Sequence, residues 1–153
     1  MSLINERLKQ LNIVLPPAPA PAANYVPYVK SDKLIFVSGQ IPMLNGELIT
    51  GKVGENIEIE DTKKAARLCG LAIISQLNEA TNSNLDKINR IVKLGGFVNC
   101  IDEFTQQPEI INGASDLMVE VFGDKGKHSR FAVGTNSLPR NVVVEIEAVA
   151  EIQ

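Results

Sequence analysis

The sequence predicts an α+β domain, a mixed β-sheet with two long helices packed on one of its faces. Three observations carry this. Strand-like and helix-like segments follow one another in the order β-β-α-β-α-β-β. Each long helical segment has a single apolar stripe, so each needs a surface to cover. The C-terminal segment VVVEIEAVAEI alternates from Val144 on, with Glu145, Glu147 and Glu151 on one face and Val144, Ile146, Ala148, Ala150 and Ile152 on the other. A strand of that kind packs one face on a core and turns the other away from it.

At the N-terminus, residues 3–11 (LINERLKQL) place Leu3, Leu8 and Leu11 in a short helical pattern. Five prolines from Pro16 to Pro27 then exclude a helix and the interior of a ladder, and predict an extended, polyproline-like arm. A linker would need substantial chain on both sides. Only a short helix precedes this segment, so residues 1–27 are expected to pack on their own domain or on a neighbouring subunit.

Residues 33–38 (KLIFVS) are β-branched and aromatic and predict a strand closed by Gly39. Asn45-Gly46 is a hairpin signal and returns 47–50 as a short strand. From Glu60 to Ala80 the apolar residues Ala65, Leu68, Cys69, Ala72, Ile73 and Leu77 recur at helical steps behind acidic Glu60 and Asp61. Asn82 to Asn84 break that helix. Residues 88–100 read as a long strand in which Gly95-Gly96 signals a bulge or a close backbone approach. A second helix follows Pro108, with Ile110, Ile111, Ala114, Leu117, Met118, Val121 and Phe122 apolar, and ends near Gly123. Segments 129–135 and 142–152 are the last two strands.

With 153 residues, 44% of them hydrophobic and 22% charged, the chain (1–153) suits one globular domain. The net charge of −3 and pI near 5.2 argue against sequence-independent nucleic-acid binding, which wants a basic face. Two isolated cysteines, Cys69 and Cys100, and a single histidine, His128, offer no zinc pattern. Both cysteines read as small buried hydrophobes in a reducing compartment. No apolar run reaches the roughly 18 residues that span a bilayer, and MSLINERLKQ lacks the apolar stretch of a signal peptide. The expected location is cytoplasmic, with no membrane partner.

Four features could carry chemistry. Arg130 opens a strand, and an arginine presents a rigid fork of donors that matches a carboxylate, though a lone arginine is more often a solvated surface group. Glu145 and Glu147 share one strand face. They could be a solvent-facing stripe or, if another subunit covers that face, include a desolvated acid/base with a raised pKa. Ser38-Gly39 in SGQIP is a plain turn or a place where backbone amides approach a ligand. Tyr28 after the proline arm and Asn112 in the second helix are, taken alone, more often structural.

Six segments in order resemble the YjgF/Rid family: PAPAANYVPYVK, LIFVSGQIP, DTKKAARLCGLAIISQL, KINRIVKLGGFVNC, INGASDLMVEVFG and HSRFAVGTNSLPRNVVVEIEAVAEI. The last is the most specific, an arginine followed at Leu138-Pro139 by LP and then VEIEAVA. The resemblance implies a chorismate-mutase-like fold and a homotrimer whose active sites lie between subunits. It also implies cofactor-free, metal-free hydrolysis of 2-imino and 2-enamine acids, such as 2-aminoacrylate, to 2-keto acids and ammonia. It assigns Arg130 to the substrate carboxylate and Glu145 to the attacking water. Tyr28, Ser38, Gly39 and Asn112 fall at the pocket. Ala132 stands where many members carry a cysteine, Phe131 where a small residue is common, and Gly134 where others carry glutamate. A trimer that binds small carboxylates without turnover is the alternative. A ribonuclease, a label some members carry, fits poorly with one histidine and a negative net charge.

Overall fold

The computed structural model describes residues 2–21 and 23–153; Met1 and Ala22, the latter inside the proline-rich arm, lie outside the described residues. Nine strands and helices beyond the first helix build the fold in this order. Helix α1 (Leu3–Gln10) precedes strands β1 (Tyr28–Ser31), β2 (Leu34–Gln40), β3 (Met43–Leu44) and β4 (Glu47–Leu48). Then come α2 (Ile59–Ala80), β5 (Ile88–Asn99), α3 (Gln107–Phe122), β6 (Ser129–Thr135) and β7 (Val144–Ile152). The main sheet has the order β1-β2-β7-β5-β6, antiparallel except for the β5–β6 pair, which α3 connects as a parallel crossover. The sheet is therefore mixed, as expected, and both long helices cover one face of it.

The core lies between that face and the helices. Ile35, Leu94, Ile146 and Ala150 from the sheet and Ile73, Leu77, Ile111 and Leu117 from the helices are all buried. Cys69 and Cys100 are buried within it, and burial pushes the Cys69 thiol well up from its ordinary pKa, the negative charge of Glu145 adding to the shift. No helix of the described residues is long and apolar enough to cross a membrane.

One local outcome differs from the sequence reading and two make it more specific. Residues 28–31 form a strand, which the preceding prolines disguised; Asp32, at φ 53°, makes the tight turn into β2. The Asn45-Gly46 turn forms as expected, with φ 53° and 81°, but it closes the separate two-stranded ribbon β3–β4. Gly95 and Gly96 are close approaches and not a bulge. A Cβ on Gly95 would stand 2.6 Å from the Phe131 ring, and one on Gly96 would stand 2.6 Å from Ile111, while the register shifts of β5 fall earlier, between Ile88 and Lys93.

The N-terminal segment packs on its own domain. The Asp86 carboxylate accepts from the backbone N–H groups of Leu3 and Ile4 and from the Ser2 hydroxyl, each at 2.9 Å, so it caps α1. These hydrogen bonds, that from Ile4 foremost, hold the Asp86 carboxyl below its ordinary pKa. The proline arm has few N–H groups to offer, but its carbonyls accept. Ser75 Oγ of α2 donates to Pro16 O at 2.8 Å and Gln76 Nε2 to Pro19 O at 2.7 Å. Two polar residues of α2 thus hold the arm against that helix.

Candidate functional site

The register of the sheet decides which residues can meet. Tyr28, Val37, Ala148, Leu94 and Arg130 are successive partners across all five strands, so they form one row on the helix-covered face. Glu145 and Glu147 lie on the opposite face, as do their partners Phe97 and Gly95. The seven residues singled out in the sequence therefore do not converge within one chain.

One group gathers around Glu145. Strand β2 bulges between Val37 and Gln40, leaving Ser38 and Gly39 unmatched in the ladder with β7. The bulge brings the Gly39 backbone against the Glu145 carboxylate, so closely that a Cβ there would overlap it. Ser38 supports the same segment from behind: its hydroxyl donates to Val26 O at 2.7 Å and its N–H to Pro27 O at 2.9 Å. The result is a cleft of about 460 Å³ walled by Pro19, Pro21 and Tyr25 of the arm, Gly39 and Gln40 of β2, and Arg140 and Glu145. Burial, with the nearby charge of Glu147 adding to it, raises the Glu145 carboxyl above its ordinary pKa. A carboxyl moved toward neutrality can exchange protons at physiological pH more readily than a solvated one.

A second group gathers around Arg130 at the sheet edge. Arg130 is half-buried; Nη1 donates to Ser115 Oγ at 3.0 Å and Nη2 to Pro108 O at 3.4 Å. Among the described residues it forms no ion pair. Asn112 lies between Pro108 and Ser115 on the same stripe of α3, and Ala132, two residues along β6, faces the same way and packs on the core. Three N–H groups of the guanidinium stay available, enough to meet a carboxylate with two parallel bonds.

Tyr28 belongs to neither group. It pairs with buried Val37, packs on the core and stands at the edge of the sheet opposite Arg130, about 19 Å away across four strand spacings. The tyrosine in the Glu145 cleft is Tyr25. The family resemblance assigns the residue directly after Pro27 to a pocket between subunits, and strand β1 takes Tyr28 into the ladder. Arg140 was also missed; it sits at φ 56°, ψ 21°, beside Asn141 at φ 59°, and this left-handed pair after Pro139 is what turns the chain past the cleft.

The residues that depart from the family pattern have physical positions. Phe131 points away from Arg130, onto the open face, where it meets Phe97 edge-on at 5.2 Å and lies 5.1 Å from Lys93 Nζ. A Cβ on Gly134 would press on two side-chain ends, standing 2.8 Å from Cys100 Sγ and 2.9 Å from Gln107 Nε2, so a larger residue there requires both to shift.

The family model described as "YjgF/chorismate_mutase-like, putative endoribonuclease" matches residues 5–152. The chain belongs to this family. Among its YjgF relatives, Protein TCP17 of Trypanosoma cruzi is 44% identical over 147 residues, covering 95% of this chain and 91% of the relative. The crystal structure of Atu1372 from Agrobacterium tumefaciens, a protein described there as of unknown function, superposes with a TM-score of 0.91 at 46% identity. It covers 98% of this chain and 92% of Atu1372. A 2-iminobutanoate/2-iminopropanoate deaminase of Dermatophagoides farinae is 29% identical over 143 residues, covering 92% of this chain and 95% of the deaminase. The fold is thus the YjgF/chorismate-mutase-like α+β fold with a mixed sheet and three helices.

Proposed function

We propose that the protein hydrolyses reactive 2-imino acids, together with their 2-enamine tautomers, to 2-keto acids and ammonia, at sites assembled between neighbouring copies of the chain in a homotrimer. The observation that carries this is the division of the site. A half-buried arginine held only by neutral partners sits at one sheet edge, and a carboxyl of raised pKa lines a cleft on the opposite face. Neither half reaches the other in one chain. A second copy laid against the open face can bring them together, and that face has the apolar surface such a contact needs: Val29, Phe36, Phe97 and Val133 are 52%, 45%, 38% and 42% exposed.

The chemistry asks little more of the protein. The imine carbon is already electrophilic. Arg130 holds the substrate carboxylate and fixes the carbon over the cleft. Glu145, ionised, takes a proton from water as the oxygen bonds to that carbon and the C=N pair moves to nitrogen. With the imine nitrogen entering protonated, this gives the 2-amino-2-hydroxy acid. Glu145 returns its proton to the amine, then takes the hydroxyl proton as the C=O bond forms and the C–N bond breaks, and ammonia leaves with the keto acid while Glu145 releases that proton to solvent. Each imine consumes one water, and no redox change occurs. The likeness to the mite deaminase supports this reading.

The test is direct. When a serine dehydratase supplies 2-aminoacrylate, adding the protein is expected to accelerate release of pyruvate and ammonia in proportion to its concentration. Unchanged keto-acid release with imines of alanine, 2-aminobutyrate and leucine, at protein concentrations that bind pyruvate, would instead support carboxylate capture without turnover.

A further inference from the structure

An arginine that must meet a carboxylate with two parallel bonds works only if its own plane is held. A directed chain of hydrogen bonds does this for Arg130. His128 Nδ1 is 2.6 Å from Gly126 O, an oxygen that can only accept, so Nδ1 carries a proton and, in the neutral imidazole, Nε2 is the acceptor. Nε2 lies 2.9 Å from Ser115 Oγ, so the hydroxyl proton points to His128. The hydroxyl lone pairs then face the Arg130 Nη1 donor at 3.0 Å. Each link sets the direction of the next.

The far end of the chain is rigid. Gly126 is buried directly against the α3 backbone, where a Cβ would overlap the Met118 carbonyl. Its carbonyl therefore has a fixed position, and the short 3₁₀ turn Gly123–Gly126 delivers the chain's single histidine next to Ser115. Pro108 O, at the start of α3, holds the other nitrogen of the guanidinium. Helix α3 thus grips Arg130 at two points about two turns apart, and no acid competes with an incoming carboxylate there among the described residues.

We propose that Ser115 and His128 are positioning residues that hold the Arg130 guanidinium in the orientation required to receive the substrate carboxylate. This rests on the reading of Arg130 as the carboxylate-binding group. Neither residue touches substrate. Both act through Arg130, so their loss should weaken binding and leave the chemical step largely intact.

Two readouts test it on the full-length protein. In nitrogen-15 spectra of arginine-labelled protein, the Arg130 Nη nitrogens should give separate signals, because rotation about the Nε–Cζ bond is hindered. Ser115→Ala should merge them, and Ser115→Thr, which restores a hydroxyl, should keep them apart. In pyruvate binding and imine kinetics, Ser115→Ala should raise Kd and KM about tenfold, with kcat within about twofold, and Ser115→Thr should recover most of the loss. His128→Phe, which removes the acceptor, should give a smaller change of the same kind. Unchanged Arg130 signals in Ser115→Ala, or a Ser115→Thr protein as impaired as Ser115→Ala, would overturn the assignment. If the signals merge as expected but the unaltered protein binds no keto acid, the positioning chain stands and the carboxylate reading of Arg130 falls.

Discussion

Replacing Arg130 with alanine is expected to raise the KM for a 2-imino acid, and the Kd for its keto-acid product, by about 10²- to 10³-fold. Two charge-assisted hydrogen bonds to a carboxylate are worth about 3–4 kcal/mol together, which sets that range. The fold should tolerate the change. Arg130 forms no ion pair among the described residues, and its bonds to Ser115 and Pro108 O can pass to water at the sheet edge. Arg130→Lys keeps the charge but loses the planar fork, and should fall between the two, about tenfold weaker than the unaltered protein. Steady-state kinetics together with calorimetric titration of pyruvate measure both. Alanine and lysine proteins that bind pyruvate as well as the unaltered one would remove Arg130 from the site.

Glu145→Gln is expected to lower kcat by about 10²- to 10⁴-fold, the usual worth of a positioned acid/base, with a smaller effect on KM. The amide keeps the shape of the cleft but cannot accept the proton of water. The pH dependence has a definite sign. Burial, and then Glu147, raise the Glu145 carboxyl, so the ionised form accumulates only above that raised value. The rate of the unaltered protein should therefore fall as pH is lowered through it. Glu147→Gln removes the second cause and should move this limb to lower pH. Stability should run the other way. The folded state holds this proton more tightly than the unfolded chain, so the contribution of Glu145 is fully favourable below the unfolded carboxyl value and is lost as pH rises through the raised one. Glu145→Gln should accordingly melt at a higher temperature than the unaltered protein at neutral pH and no higher in acid.

Much of this architecture was legible because periodicity reports burial. The two long helices and the strand over 144–152 are set by which residues must be apolar. Strand β1 was not legible. It has four residues, follows a proline and is mostly exposed, so its formation depends on pairing with β2 and not on its own pattern. That one element takes Tyr28 into the sheet ladder, while Tyr25 lines the Glu145 cleft of the single chain. Arg130 and Glu145 could be named from spacing and family resemblance, but not their separation. Opposite faces of one sheet come from long-range register, which short motifs do not encode. Ser115 and His128 left no signal either, because a serine on a helix stripe and a lone histidine gain meaning only when the fold brings Arg130 and His128 together onto Ser115.

In the proposed assembly each site takes its arginine from one chain and its acid from another. Mixing the two inactive proteins measures this most directly. Arg130→Ala chains supply an intact Glu145, and Glu145→Gln chains supply an intact Arg130. If they are co-expressed with separable tags and purified as mixed assemblies, every mixed trimer, whatever its composition, pairs an intact Glu145 with an intact neighbouring Arg130 at one of its three sites, about a third of the total. Recovery of about a third of the unaltered deaminase activity is expected, at an unaltered KM. Mixed assemblies as inactive as either parent would show that both groups must come from the same chain, and would contradict it.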